Sequence, residues 1–193
     1  MYRIIQKLFP TAYFFFVLFA VLSPLEAQKT NRTIDPEIRA AFTKARIPVL
    51  RTGSPAPDFS ASRLNGTQVR LGSLMGKVIF LNFWATWCPP CREEMPSMEA
   101  LYQRFRNRDI EFLAVDIQEN RNRVSAFMEQ FGLTFPALMD VTGRISTQYG
   151  IRSIPTTFII DRNGNIIASV IGGRDWNTPE VAAALELLLA YDR

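Results

Sequence analysis

The sequence predicts an α/β domain with a mixed central sheet, helices on both of its faces and a β-hairpin extension on the N-terminal side. Three observations predict it. From Lys77 onward, apolar runs of strand length alternate with segments of helical period. Two turn sequences, Leu64-Asn65-Gly66-Thr67 and Arg162-Asn163-Gly164-Asn165, each separate a pair of strand-like runs. The last apolar segment opens on Thr178-Pro179-Glu180, a capping residue, a proline suited to the first turn and an acid facing the helix dipole.

The elements follow in chain order. Asp35 to Arg46 carries Ile38, Ala41, Phe42 and Ala45 at helical spacing and stops before Pro48, so residues 28–52 read as a short helix and a linker. Gly53 to Asp58, rich in Gly and Pro, marks the start of the main domain, residues 53–193. Phe59 to Arg63 and Gln68 to Leu71 are the arms of the hairpin extension. Val78 to Phe83 is a near-continuous apolar run, the pattern of a strand buried on both faces. Pro89 to about Asn107 places Met95, Met98, Leu101 and Phe105 on one face, with Pro96 expected to kink the helix. Glu111 to Ile117 reads as a strand, and Arg121 to Phe131 as a helix carrying Val124, Phe127, Met128 and Phe131. Thr134 to Leu138 reads as a short strand or extended segment, Val141 to Tyr149 as a short helix, and Thr157 to Asp161 with Ile166 to Ile171 as a hairpin. The closing helix presents Val181, Leu185, Leu188 and Leu189 on one face. The order β-α-β-α-β-α-β-β-α calls for a mixed sheet between helical layers.

Composition narrows the chemistry. The 193 residues are 48% hydrophobic and 21% charged, with fifteen Phe and three Trp, well outside the range of a disordered chain. There is no histidine, which removes Ser-His-Asp and Cys-His catalysis, His-ligated metals and imidazole proton shuttling. Two cysteines cannot supply a four-thiolate zinc or iron-sulfur site, so no metal or other cofactor is expected. The net charge of +4 is spread among interspersed acids rather than gathered in a basic run, which argues against a nucleic-acid partner.

The N-terminus speaks to compartment. Met1 to Lys7 carries Arg3 and Lys7 and no acid, and Leu8 to Leu25 is uncharged with a dense apolar stretch from Ala12 to Leu22. Residues 1–27 therefore read as a signal peptide, cleaved after Ala27, or as an uncleaved N-terminal membrane anchor. Either reading exports the remainder, to the periplasm or to the outer face of the cytoplasmic membrane.

Both cysteines fall in Trp87-Cys88-Pro89-Pro90-Cys91, directly after the buried strand and at the start of the long helix. Three-residue spacing at a helix start brings the sulfurs within bonding range, so the pair can cycle between dithiol and disulfide. Cys88, at the cap position, faces unpaired amide hydrogens and the positive end of the dipole, a setting that lowers a thiol from ~8.5 to roughly 3.5–7.5. Cys88 is then the nucleophile, and Cys91, one turn in, resolves the mixed disulfide. Pro89 and Pro90 suit the first turn, where an amide hydrogen is dispensable. A plain structural bridge closing so short a loop would contribute only about 2 kcal/mol on the chain-entropy model, and a two-thiol metal site lacks further ligands.

Phe83-Trp84-Ala85-Thr86-Trp87-Cys88-Pro89-Pro90-Cys91-Arg92, with Ser153-Ile154-Pro155-Thr156-Thr157-Phe158 downstream, resembles the thioredoxin superfamily. Ala56-Pro57-Asp58-Phe59, Gly76-Lys77 and Glu94-Met95-Pro96 are similar to its exported ResA/TlpA-type branch of thiol-disulfide oxidoreductases. The resemblance covers roughly Gly53 to Asp192 and implies a thioredoxin-like fold. It implies that Pro155 is a cis-proline lying against the disulfide, and that the backbone of Ile154 pairs with a bound substrate strand beside Thr156. Cytoplasmic members keep a buried Asp six residues before the first cysteine; here that position is Asn82, which takes up no proton in this range. The ResA-like subgroup carries instead a Glu three residues after the second cysteine, the place of Glu94, as an acid/base for the thiols. Read without the resemblance, Glu94 is a surface acid near a helix N-terminus.

Trp87 is expected to form an exposed aromatic wall for substrate, Trp84 to lie in the core and Trp176 to pack in the last loop, although periodicity does not separate the first two. The activity implied is reduction of disulfides in extracytoplasmic proteins, apocytochrome c among them, with re-reduction by a transmembrane thiol electron donor. A disulfide oxidant or isomerase and a non-catalytic binding module are the rival readings.

Overall fold

The computed structural model describes residues 33–191; the expected signal peptide or anchor, residues 1–27, lies outside them. In chain order the elements are α1 (Pro36–Lys44), β1 (Val49–Pro55), β2 (Ser60–Arg63), β3 (Gln68–Arg70), a 3-10 turn (Leu71–Leu74), β4 (Val78–Trp84), α2 (Pro89–Phe105), β5 (Ile110–Ile117), α3 (Arg121–Gln130), β6 (Ala137–Asp140), α4 (Arg144–Gln148), β7 (Thr156–Ile160), β8 (Asn165–Ile171) and α5 (Pro179–Tyr191). Among the described residues the strands form one sheet in the order β1-β8-β7-β4-β5-β6-β2-β3. β4, β5 and β6 run parallel, while β7, β8 and β1 continue antiparallel on one side and the β2-β3 hairpin on the other.

Central β4 explains its own sequence. Flanked by β5 and β7 and covered on both faces, it is buried at every position, so its alternation carries apolar residues to both sides. Val78, Phe80 and Trp84 enter the larger core with α1, α2, α3 and α5; Ile79, Leu81 and Phe83 enter a second core closed by Leu71 of the 3-10 turn and Ile145 of α4. Asn82 is the one polar side chain in the strand, and it lies on the α2 side.

Among the described residues, 33–52 differ in part from the expected helix and linker. α1 forms, capped by Asp35 accepting the Glu37 N–H, but Val49–Pro55 is a strand at the sheet edge, antiparallel to β8. Ile34, Ile38, Phe42 and Ile47 belong to the larger core, so described residues ahead of Gly53 pack with the main domain. The strand was hidden because an edge strand is covered only in part: its burial does not alternate, and its register is broken between Val49 and Ser54. β6 also begins three residues later than Thr134, since the amides of Thr134 and Phe135 are held by Glu99 of α2 and Pro136 has no amide to give a ladder. α4 is shorter than Val141 to Tyr149 because Gly143, at φ 71°, turns the chain immediately before it.

Candidate active site

The site stands where β4 ends and α2 begins. Glu119 secures the intervening turn, accepting the Thr86 amide at 2.6 Å and the Thr86 hydroxyl at 2.7 Å, while Arg123 pairs with Glu119 at 2.9 Å. Cys88 is the N-cap of α2 with extended backbone, and its Sγ accepts the Cys91 amide at 3.3 Å, the capping interaction that the sulfur supplies in place of an oxygen. Pro89 and Pro90 fill the first helical turn and are exposed. Cys88 and Cys91 form a disulfide with a Cα–Cα separation of 5.3 Å. Cys88 retains 3% exposure and Cys91 none, so access to the bond is from the Cys88 side.

The rest of the rim comes from far along the chain. The Ile154 carbonyl oxygen lies 3.6 Å from Cys88 Sγ, and the Ile154–Pro155 peptide is cis. Ile154 is half-buried and Pro155 buried; Thr156 is also buried, its hydroxyl donating to the Ser153 carbonyl at 2.8 Å, so it braces the loop from within. Trp87 is 58% exposed beside the disulfide, whereas Trp84 is fully buried.

Beneath the start of α2 lies a polar cluster inside the core. Glu94 is 2% exposed, which removes the surface-acid reading. It accepts Asn82 Nδ2 at 3.0 Å, the Trp176 indole N–H at 2.9 Å and the Arg174 amide at 3.3 Å. Asn82 also donates to the Thr157 hydroxyl at 2.9 Å. Burial, the largest influence, outweighs these donors and pushes the Glu94 carboxyl up from 4.5 to about 7. A carboxyl three residues after Cys91 shares its side of the helix. Raised to about 7, it can gain or lose a proton near neutral pH.

Four participants escaped sequence reading. Trp176 packs edge-on against Phe80 as expected of a core residue, yet it is also a donor to Glu94. Arg174 supplies a second donor through its backbone, and its guanidinium lies over Trp176 while bonding the carbonyls of Ala45 and Arg46. Gly173 lets the backbone approach the active-site turn: a Cβ there would stand 2.7 Å from the Pro90 carbonyl oxygen. Glu119 fixes the turn. Only the Gly172-Gly173 pair carried a sequence signal, since paired glycines after a strand mark close backbone approach.

A mixed sheet with an N-capping Cys-X-X-Cys disulfide facing a cis-proline loop defines a thioredoxin-fold redox protein. Residues 52–169 match the model of the AhpC/TSA family, and the chain belongs to that family. It is 46% identical over 120 residues to the thiol-disulfide oxidoreductase ResA of Geobacillus thermodenitrificans, covering 62% of this chain and 69% of that protein. Among solved structures it is similar to a thioredoxin-family thiol:disulfide interchange protein of Chlorobium tepidum, with TM-score 0.59 and 34% identity over 69% of this chain and 97% of that one. StoA of Bacillus subtilis is similar at TM-score 0.57 and 28% identity, over 70% and 96%. The chain is thus a protein thiol-disulfide oxidoreductase of the thioredoxin-like kind, acting on disulfide-containing proteins.

Proposed function

We propose that the protein is an exported reductant that opens disulfides in extracytoplasmic proteins, with apocytochrome c as one substrate class. Glu94 carries this reading. A carboxyl buried beneath the cysteines opposes a second negative charge nearby, so it disfavours the thiolates of the reduced state. Oxidants of this fold are strong because their reduced form is stabilised, and a destabilised reduced form passes its electrons on.

In the forward cycle the Cys88 thiolate attacks one sulfur of the substrate disulfide, and the other sulfur leaves as a thiolate. The mixed disulfide stays in reach of Cys91, whose proton passes to Glu94. Cys91 then displaces the second substrate sulfur, leaving the Cys88–Cys91 disulfide and two substrate thiols; two electrons have moved to the substrate. A transmembrane thiol carrier restores the dithiol by the reverse exchange. Trp87, Pro89, Pro90 and the Ile154-Pro155 edge form the docking surface, with the Ile154 backbone pairing with an extended substrate strand; buried Thr156 supports that edge from within instead of touching substrate. The basic and apolar features of residues 1–27 support export, as a cleaved signal or a membrane tether.

Equilibration with glutathione or dithiothreitol tests the direction. A potential at or below the thioredoxin value of about −270 mV is expected, and one near −120 mV makes the protein an oxidant. Trapping with Cys91→Ser in the native cell should capture an extracytoplasmic protein on Cys88; capture only of cytoplasmic proteins overturns the proposed location.

A further inference from the structure

The strongest feature left unused by the redox cycle is Asp116. It sits at the end of β5, in register with Trp84, and is completely buried. Neither of its carboxyl oxygens has a hydrogen-bond partner, an arrangement whose cost is several kcal/mol if the group is ionised. The groups that face it are the Glu119 carboxylate and, farther off, Arg123 of α3; the Glu119 amide also faces it without full hydrogen-bond geometry. Asp140 on neighbouring β6 is engaged by the amides of Ile145 and Ser146.

Glu119 is aimed inward by its backbone. Gln118 adopts φ 58°, a left-handed conformation rare for a residue that is not glycine, and its amide is fixed to the Asp140 carbonyl. Two donors from Thr86 and one from Arg123 place the negative charge of the acid pair on Glu119. A carboxylate has about four acceptor positions, so one remains for a further donor. A proton on Asp116 supplies it and removes the unpaired buried charge at once.

We infer that Asp116 is a positioning residue for the thiol chemistry: as the proton-bearing member of a buried carboxyl pair with Glu119, it steadies Glu119 and so holds the Thr86-Trp87-Cys88 turn. Burial first, and the Glu119 carboxyl second, push Asp116 up from 3.8 to about 8, in keeping with that proton. Losing it sets two charges face to face and loosens the grip on Thr86. This inference rests on the proposed thiol function for its meaning but not for its test.

The test uses the oxidised full-length protein, in which neither cysteine titrates. The amide proton of Thr86, bonded to Glu119, is followed by NMR from about pH 6 to about pH 10, a range spanning the titration of a raised carboxyl. The wild type should show a shift with a midpoint near 8, the value for Asp116, and Asp116→Asn, which keeps a donor and cannot titrate, should abolish it. Asp116→Leu, which removes the donor, should slow reduction of a protein disulfide at neutral pH about fivefold, the factor equivalent to one neutral hydrogen bond, while Asp116→Asn should not. A flat Thr86 titration in the wild type, or one that persists in Asp116→Asn, overturns the inference even if every redox assay behaves as proposed.

Discussion

Glu94 Oε2 accepts the indole N–H of Trp176 at 2.9 Å, joining the active-site helix to the last loop across 82 positions of chain. Through the same loop the Arg174 guanidinium reaches the end of α1, so the acid beneath the cysteines is held by residues from opposite ends of the described chain.

Glu94 should make stability depend on pH. The folded protein binds this proton more tightly than the unfolded chain, because the carboxyl is raised from 4.5 to about 7. Folded molecules therefore carry the extra proton between those values, and stability falls as pH rises through that window. The contribution, present in full at lower pH, is on the order of 3 kcal/mol. Relative to Glu94→Gln, the oxidised wild type should lose that much between pH 4.5 and about 7 in urea unfolding. A pH-independent difference would show that the carboxyl is not perturbed.

Trp176→Phe removes both a donor and part of a fully buried ring stacked edge-on with Phe80 at 4.8 Å. The expected loss is about 2–4 kcal/mol, and the Glu94 carboxyl should rise further for want of a partner. Carboxyl 13C titration reads the second effect separately from the first. An unmoved Glu94 midpoint would mean the indole contributes packing alone.

Asn82→Asp replaces the donor that lies 3.0 Å from Glu94 by another carboxyl. At low pH one acid can donate to the other, but at higher pH two buried charges would share one site. The variant should thus unfold more easily than wild type at alkaline pH and approach it in acid. Equal destabilisation at both ends of the scale would argue that the charge pair never forms.

Gly173→Ala puts a methyl group 2.7 Å from the Pro90 carbonyl oxygen, a backbone atom that cannot turn aside. One side must shift, at a cost of about 1–3 kcal/mol, and the start of α2 is the part that shares the contact. Slower disulfide reduction together with lower thermal stability is the expected result. Unchanged exchange kinetics would place the strain wholly in the last loop.

Local pattern sufficed for much of this molecule. The buried strand β4, the amphipathic faces of α2, α3 and α5 and both hairpin turns are written in apolar period and turn chemistry, which act over a few residues. Cys-X-X-Cys at a strand-to-helix junction likewise announced the disulfide and its capping cysteine. Glu94 was named by resemblance, because an acid on the second turn of a helix reads the same whether it faces water or the core. The edge strand β1 was missed since partial burial leaves no period of two.

What the sequence by itself determined, then, is the sulfur chemistry and the layers that carry it. Tertiary structure alone decided that Glu94 is buried against Asn82 and Trp176, that Asp116 meets Glu119, and that Pro90 is the backbone Gly173 approaches. Each of these depends on residues far apart in the chain being brought into a low-dielectric interior. Desolvation and the identity of the neighbour belong to the packed surroundings, and no residue type or spacing encodes them.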